Sequence, residues 1–394
     1  MEHQLSRRAF TLGAGVLGVS ALTARSARAA TDNVWAQRAV SSYKAMQRYL
    51  YLGAAGDDMY LETYPKQPGD NTYSYVFPLR EATAATIDIN RLPPSLGRYS
   101  ADVTARFEAL SHYWDASRGA YDSYPPAPYG SAGDPFYDDN TIVGLEFVRQ
   151  YQFSRQTDLL DKAKQVFKFV TTAWDDDPAH PLPGGMYWVD ASWNTIKATN
   201  VTSLAAELAA HLFELTRERD YLDWAQRSYD WVREAMRQSA GLYYNSVDFS
   251  GTIDKTLWSY NSGSMIGAAT LLHRVTGAGS YLNLALADAD AALSYWTEND
   301  RYYDQPAIFN AILFANLLLL DSVRHEARFR QAIAHYADLI WARNRDASTG
   351  LFSFQASGGG APDPNVRPQT VEHSAAIQIF ALLGWRPMDY SYVA

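Results

Sequence analysis

Apolar positions recur along most of this chain at the three-to-four-residue spacing of an α-helix, and they do so in two alternating styles. The spacing predicts twelve helices, near residues 35–52, 78–90, 101–113, 140–152, 158–173, 200–216, 220–238, 260–275, 280–296, 307–320, 325–345 and 369–384. The odd-numbered ones are amphipathic. In 220–238, Leu222, Ala225, Tyr229, Val232 and Met236 form a stripe opposite Arg227, Asp230 and Arg233. The even-numbered ones are apolar nearly all round: 307–320 carries no charge, and 260–275 carries only Arg274, at its end. A helix that is apolar on every side is buried, and an amphipathic one covers it. Six of each in strict alternation, with sparse strand signals, predict an all-α fold: an (α/α)6 barrel of six helical hairpins, forming a single domain over residues 30–394.

The connections alternate too. Even-to-odd links are short, as in Arg217-Glu218-Arg219 and Gly277-Ala278-Gly279, whereas odd-to-even links are mostly about 20–25 residues long. Connections that long inside a compact domain are usually functional. By the geometry of hairpins they gather at one end of the barrel, and they are rich in rings. Tyr60, Tyr75, Tyr121, Trp188, Trp193, Tyr243, Trp258, Tyr302 and Tyr303 are among them, and predict a groove lined by aromatic faces.

Composition narrows the chemistry. The chain has no cysteine, which removes disulfides, thiolate catalysis and Cys-ligated metal. Ser6-Arg7-Arg8-Ala9-Phe10, a small-residue apolar segment to Thr23 and Ala27-Arg28-Ala29 predict a twin-arginine signal peptide over residues 1–29, hence export by a prokaryote and a secreted product. Its removal takes four arginines and one glutamate and leaves 30 basic against 42 acidic residues, a net charge of −12. So acidic a surface argues against nucleic acid as a partner. The uncharged, strongly apolar segment 305–320 is too short to span a bilayer, so no membrane anchor is expected. Other catalytic signatures are missing: there is no zinc-binding H-E-x-x-H and no G-x-S-x-G of a serine nucleophile. Asp175-Asp176-Asp177 lacks the alternate spacing of a calcium loop and reads as a solvated acidic loop. His211, His273 and His373 fall on helices and read as packing residues.

One motif carries chemistry. Tyr137-Asp138-Asp139-Asn140 sets two carboxylates side by side where a ring-rich loop meets an inner helix. Acids suit the first turn of any helix. They also suit cleavage of a glycosidic bond, which needs one carboxyl protonated and its partner ionised. Adjacent residues there hold their carboxyls roughly 5–6 Å apart, the spacing of a retaining rather than an inverting pair. Tyr137 and Asn140 are expected to hydrogen-bond one acid each and so separate their proton affinities.

With these flanks the motif resembles that of glycoside hydrolase family 76, the endo-α-1,6-mannanases, and the likeness runs along nearly the whole exported chain. Gly184-Gly185-Met186-Tyr187-Trp188 resembles a G-G-I-W-W segment of that family. Asn200 falls where an Asn opens the next inner helix, and Tyr260-Asn261-Ser262-Gly263 resembles Y-N-Q-G. The resemblance implies a retaining endo-α-1,6-mannosidase acting through a covalent mannosyl-enzyme, with Asp138 as nucleophile and Asp139 as general acid/base. Tyr137, Asn140, Gly185, Tyr187, Trp188, Asn200, Tyr260 and Asn261 would bind substrate. The partner would be an α-mannan polysaccharide or a mannan-containing glycolipid, met by a monomer without cofactor. Two other readings keep the barrel: a transglycosylase acting on α-mannosyl glycans, and a non-catalytic glycan-binding scaffold. Departures from the family pattern fall at Thr195-Ile196 with Lys197 shifted, at Ser262, and at Phe309-Asn310-Ala311, positions expected to face substrate.

Overall fold

In the computed structural model, residues 34–393 are described, so the predicted signal peptide lies outside the described residues. Twelve α-helices follow in order: α1 (34–49), α2 (Val76–Asn90), α3 (Ser100–Ser111), α4 (Tyr137–Ser154), α5 (Thr157–Val170), α6 (Thr199–Thr216), α7 (Arg219–Ala235), α8 (Ser259–Thr276), α9 (Gly279–Thr297), α10 (Ala307–Val323), α11 (Ala327–Arg343) and α12 (Thr370–Gly384). The even-numbered helices form a closed inner ring. Each packs on the next, and α12 returns to α2. The odd-numbered helices lie outside against them; α1, for example, stacks Trp35 on Phe380 of α12. The fold is the (α/α)6 barrel that the alternation predicts. No helix among the described residues is long and apolar enough to cross a membrane.

Three of the short links turn tightly because one residue adopts left-handed backbone: Arg155 after α4, Arg217 after α6 and Gly277 after α8. Inner helices approach very closely. A Cβ on Gly263 of α8 would lie 2.6 Å from the Leu313 Cα of α10, so only glycine fits there. The outer stripe behaves as predicted: in α7, Leu222, Ala225, Tyr229 and Val232 are buried, while Arg227 and Asp230 are exposed.

The long loops hold more order than their composition suggests. β1 (Trp114–Asp115) pairs with β2 (Ala120–Tyr121). β3 (Ile196–Ala198), β4 (Tyr244–Asp248) and β5 (Ile253–Leu257) form an antiparallel sheet in the order β3-β4-β5, with Ala198 opposite Ser246. Its strands are too short for a period-two signal to stand out, yet β3 runs directly into α6 and sets the position of that helix's first turn.

Candidate active site

At the loop end of the inner ring lies a cavity of about 700 Å³. Its floor carries Asp138 and Asp139, in the first turn of α4. The two acids have unequal surroundings. Asp138 accepts three hydrogen bonds: Asn200 Nδ2 at 2.7 Å and Trp188 Nε1 at 3.1 Å, both to Oδ2, and the Asp139 amide at 3.0 Å to Oδ1. The side chain of Asp139 has no such donor among the described residues. Burial pushes both carboxyls upward. At Asp138 the donors, Asn200 foremost, oppose that rise. Asp139 stands well above the usual carboxylate range, first through burial, then through the charge of Asp138 and, more weakly, of Glu81. The helix N-terminus favours one negative charge here. Of the two, Asp139 is therefore the acid whose surroundings favour the protonated form, and Asp138 the one whose donors favour the carboxylate.

Side chains distant in sequence hold this arrangement. The Tyr137 amide donates to the Trp188 carbonyl at 3.0 Å, and the Trp188 ring meets Phe136 edge-on with centroids 5.0 Å apart. Asn200 is the second residue of α6, behind β3. The opposite wall is a cluster of rings in which Tyr260 and Phe309 lie 4.1 Å apart and Trp258 packs edge-on to Phe309 at 5.4 Å. Asn245 and Ser246 of β4 complete that side, and Glu62, Tyr75, Phe77 and Val371 line the other.

Of the residues singled out in the sequence, the cavity gathers Asp138, Asp139, Trp188, Asn200 and Tyr260. Five others turn away from it. Tyr137 stacks on Phe169 at 4.7 Å and shares a hydrogen bond with Thr172, so it does not touch either acid. Asn140 donates to the carbonyls of Phe136 and Tyr121 and accepts the Tyr121 amide, tying β2 to α4. The expected separation of the two acids thus comes from Trp188 and Asn200 instead. Gly185 has a φ of +77°, and the Trp231 ring fills the space a side chain would need. Tyr187 donates to Asp175 at 2.8 Å, and Asn261 is fully buried, reaching the Tyr244 carbonyl at 3.4 Å.

The departures from the family pattern are corrected in the same way. Lys197 is buried and pairs with Asp175 at 2.8 Å. Ser262 is buried, and Asn310 is buried with Nδ2 on the Tyr302 carbonyl at 2.6 Å. Ile196 and Phe309 do reach the cavity. Nor is Asp175 a solvated acid. It is buried among Lys197, Tyr187 and His180, and although burial pushes its carboxyl up, these donors bring it down to about 2. Among the loop rings, Tyr60, Tyr121, Tyr243, Tyr302 and Tyr303 are buried, because they reach back onto helices: Tyr121 onto Phe147 of α4, Tyr243 onto Asp288 of α9, and Tyr302 onto Phe314 of α10 and Tyr336 of α11. No cluster of His, Asp or Glu suited to a metal ion occurs among the described residues. Glu62, Phe77, Phe136, Asn245 and Ser246 were not signalled by the sequence. Phe136 alone had a cue, standing directly before the acid motif.

Comparison with known proteins adds an independent line. The family model for glycosyl hydrolase family 76 matches residues 28–379. A mannan endo-1,6-alpha-mannosidase of Candida glabrata is 31% identical over 121 residues, 28% of this chain and 26% of that protein. One of Saccharomyces cerevisiae is 29% identical over 124 residues, 29% of this chain and 27% of that protein. The chain thus spans about a quarter of the length of these relatives. Among solved structures, a family 76 glycoside hydrolase (mannosidase) of Bacteroides thetaiotaomicron superposes with a TM-score of 0.78 at 24% identity, over 89% of this chain and 98% of that one. An inactive α-1,6-mannanase variant of Salegentibacter sp., with two consecutive aspartates changed to asparagine and α-1,6-mannotriose bound, superposes with a TM-score of 0.71 at 18% identity, over 89% and 99% of the two chains. At these identities the structural likeness establishes the fold.

Proposed function

The chain belongs to glycosyl hydrolase family 76, and from that premise we propose that it is a secreted, retaining endo-α-1,6-mannanase. The observation that carries the reading is the unequal acid pair on the floor of a ring-lined cavity. Asp138, held by three donors, is the ionised nucleophile. Its carboxylate attacks the anomeric carbon while Asp139 passes its proton to the departing glycosidic oxygen. Asp139, now ionised, takes a proton from water, which attacks the mannosyl ester and releases Asp138. Two inversions give net retention. The relatives' α-1,6-mannosidase names support the linkage, and the solved mannanase variant supports dependence on a consecutive aspartate pair. Export rests on the twin-arginine pattern at Arg7-Arg8.

The test is incubation with unbranched α-1,6-mannan, with product anomers followed by proton NMR. Initial release of the α-anomer is expected. First appearance of the β-anomer would refute the retaining mechanism, and products longer than the substrate would identify transfer to a sugar acceptor.

Two further outcomes follow from the geometry. Asn200→Ala removes the strongest donor to the Asp138 carboxylate, so the Asp138 proton affinity rises. Because activity requires that carboxylate ionised, the acid limb of the kcat/KM profile is expected to move to higher pH. An unmoved limb would mean that another group controls it. Trp193 is 51% exposed beside the cavity, pinned by Nε1 to Asp134 at 2.8 Å and braced edge-on by Trp188. A large ring fixed in solvent suits a sugar face. Trp193→Ala is expected to raise KM roughly three- to tenfold on long mannan oligosaccharides, with kcat held. An equal loss on the shortest cleavable substrate would show that Trp193 acts at the reacting sugar instead.

A further inference from the structure

Among the described residues, three carboxyl groups line the cavity, Asp138, Asp139 and Glu62, and no Arg, Lys or His lines it with them. Glu62 sits in the α1–α2 loop, where its main chain is anchored. Its carbonyl accepts the Thr370 amide at 3.0 Å, the Thr370 hydroxyl donates to the Leu61 carbonyl, and Thr63 bridges to Gln369. One carboxyl oxygen, Oε2, accepts the Tyr75 amide at 2.9 Å. The other has no partner among the described residues. A carboxyl fixed at one oxygen and unfilled at the other, on the wall of a cavity without cations, offers an acceptor to neutral donors. Sugar hydroxyls are such donors, and hydrogen bonds from them to a charged acceptor are strong. Tyr75, 45% exposed and packed edge-on to Tyr124, presents a ring on the same wall. Ring and carboxyl together form a place for one pyranose: a flat face to stack on and an acceptor at its rim.

We propose that Glu62 is a specificity residue that accepts hydrogen bonds from the vicinal hydroxyls of a mannosyl unit stacked beside Tyr75. The inference rests on the mannanase reading and deepens it. Mannose differs from glucose in its axial 2-hydroxyl, which lies cis to the 3-hydroxyl, and an acceptor aimed at that pair separates the two sugars. A site built to bond a hydroxyl discriminates more sharply than an apolar wall, because the wrong epimer leaves its polar group unpaired. Burial raises the proton affinity of this carboxyl, and the Tyr75 amide opposes the rise.

The test uses Glu62→Gln, which keeps an oxygen for the Tyr75 amide and replaces the free acceptor with a donor. Turnover of α-1,6-mannotetraose and of its α-1,6-linked glucose counterpart is compared in the wild type and the variant. Affinity for both sugars is measured by calorimetry with Asp138→Asn/Asp139→Asn as the background, with and without Glu62→Gln. The expected result is an unchanged melting temperature, a mannotetraose affinity weakened at least tenfold, and a mannose-over-glucose preference reduced by a similar factor. A wild type that cleaves the mannotetraose, with a Glu62→Gln form that binds both sugars as its parent does, overturns this inference alone. A chain that neither binds nor cleaves the mannotetraose overturns the mannanase reading with it.

Discussion

Asp138→Asn is expected to abolish cleavage of α-1,6-mannan, with kcat reduced roughly 10,000-fold or more, while the fold stays intact. The amide keeps the size of the carboxylate and leaves the Asn200 and Trp188 donors an oxygen, but it cannot form the mannosyl ester. Asp139→Asn removes the proton donor instead, a loss of about 10²–10⁴-fold on natural substrate. The two variants are separated by chemistry rather than by size of effect. An aryl mannoside whose leaving group needs no proton is expected to restore the first step in Asp139→Asn, and added azide the second. Neither restores Asp138→Asn. Rescue in the reverse pattern would exchange the two roles. The pH profile follows from the same geometry. The pair titrates as a unit, and burial pushes both carboxyls up, Asp139 furthest. Activity therefore falls on the acid side as Asp138 gains a proton and on the alkaline side as Asp139 loses one. Both limbs are displaced upward from ordinary carboxylate values, the alkaline one further.

Arg80→Met is expected to cost about 3–5 kcal/mol of stability, because it takes the shorter ion pair from two buried acids, leaving Glu81 no cation and Glu146 only Arg149 at 3.6 Å. Arg80 of α2 bonds Glu81 at 2.5 Å and Glu146 of α4 at 2.7 Å, and all three are almost wholly buried between inner helices. Gln378 of α12 holds the other oxygen of Glu81 at 2.8 Å, and Arg149 pairs with Asp88 nearby. With roughly 2 cal/mol/K of unfolding entropy per residue, a loss of that size lowers the melting temperature by about 5 °C. The pH sign is fixed by the acids. Burial already raises Glu81 above its unfolded value despite the opposing charge of Arg80, and loss of Arg80 raises it further. A buried acid with a raised folded pKa leaves stability intact below its unfolded pKa and erodes it as pH climbs toward the folded one. The deficit of Arg80→Met should therefore be larger at pH 8 than at pH 5 in paired thermal melts. An equal deficit at both values would show that the lost contacts of the Arg80 stem, rather than stranded charge, account for it.

Much of the scaffold was legible in the chain. The predicted segment 260–275 became α8 over Ser259–Thr276, and 200–216 became α6 over Thr199–Thr216. Inner helices show no polar face because neighbours surround them, so their period stands out against flanking Gly and charged turns. The loops were harder to read. Tyr60 and Tyr75 have the same composition cue, yet Tyr60 is fully buried beside Gln47 and Arg106, while Tyr75 is exposed on the cavity wall. Lys197 looked like a displaced substrate contact and is instead the buried partner of Asp175. A side chain's role in a long loop depends on which distant segment it meets, and local spacing carries no record of that.

Helix number, alternation and the standing of Asp138-Asp139 at the mouth of an inner helix are local properties, written in periodicity and turn chemistry. The inequality of the two acids is not local. It arises because closure of the ring brings Trp188 and Asn200, 50 and 62 residues further on, to the same oxygen of Asp138, while no side chain among the described residues donates to Asp139. Hydrogen-bond geometry and desolvation act over a few ångströms in space whatever the separation along the chain, so the chemistry of the pair is set only when the barrel closes.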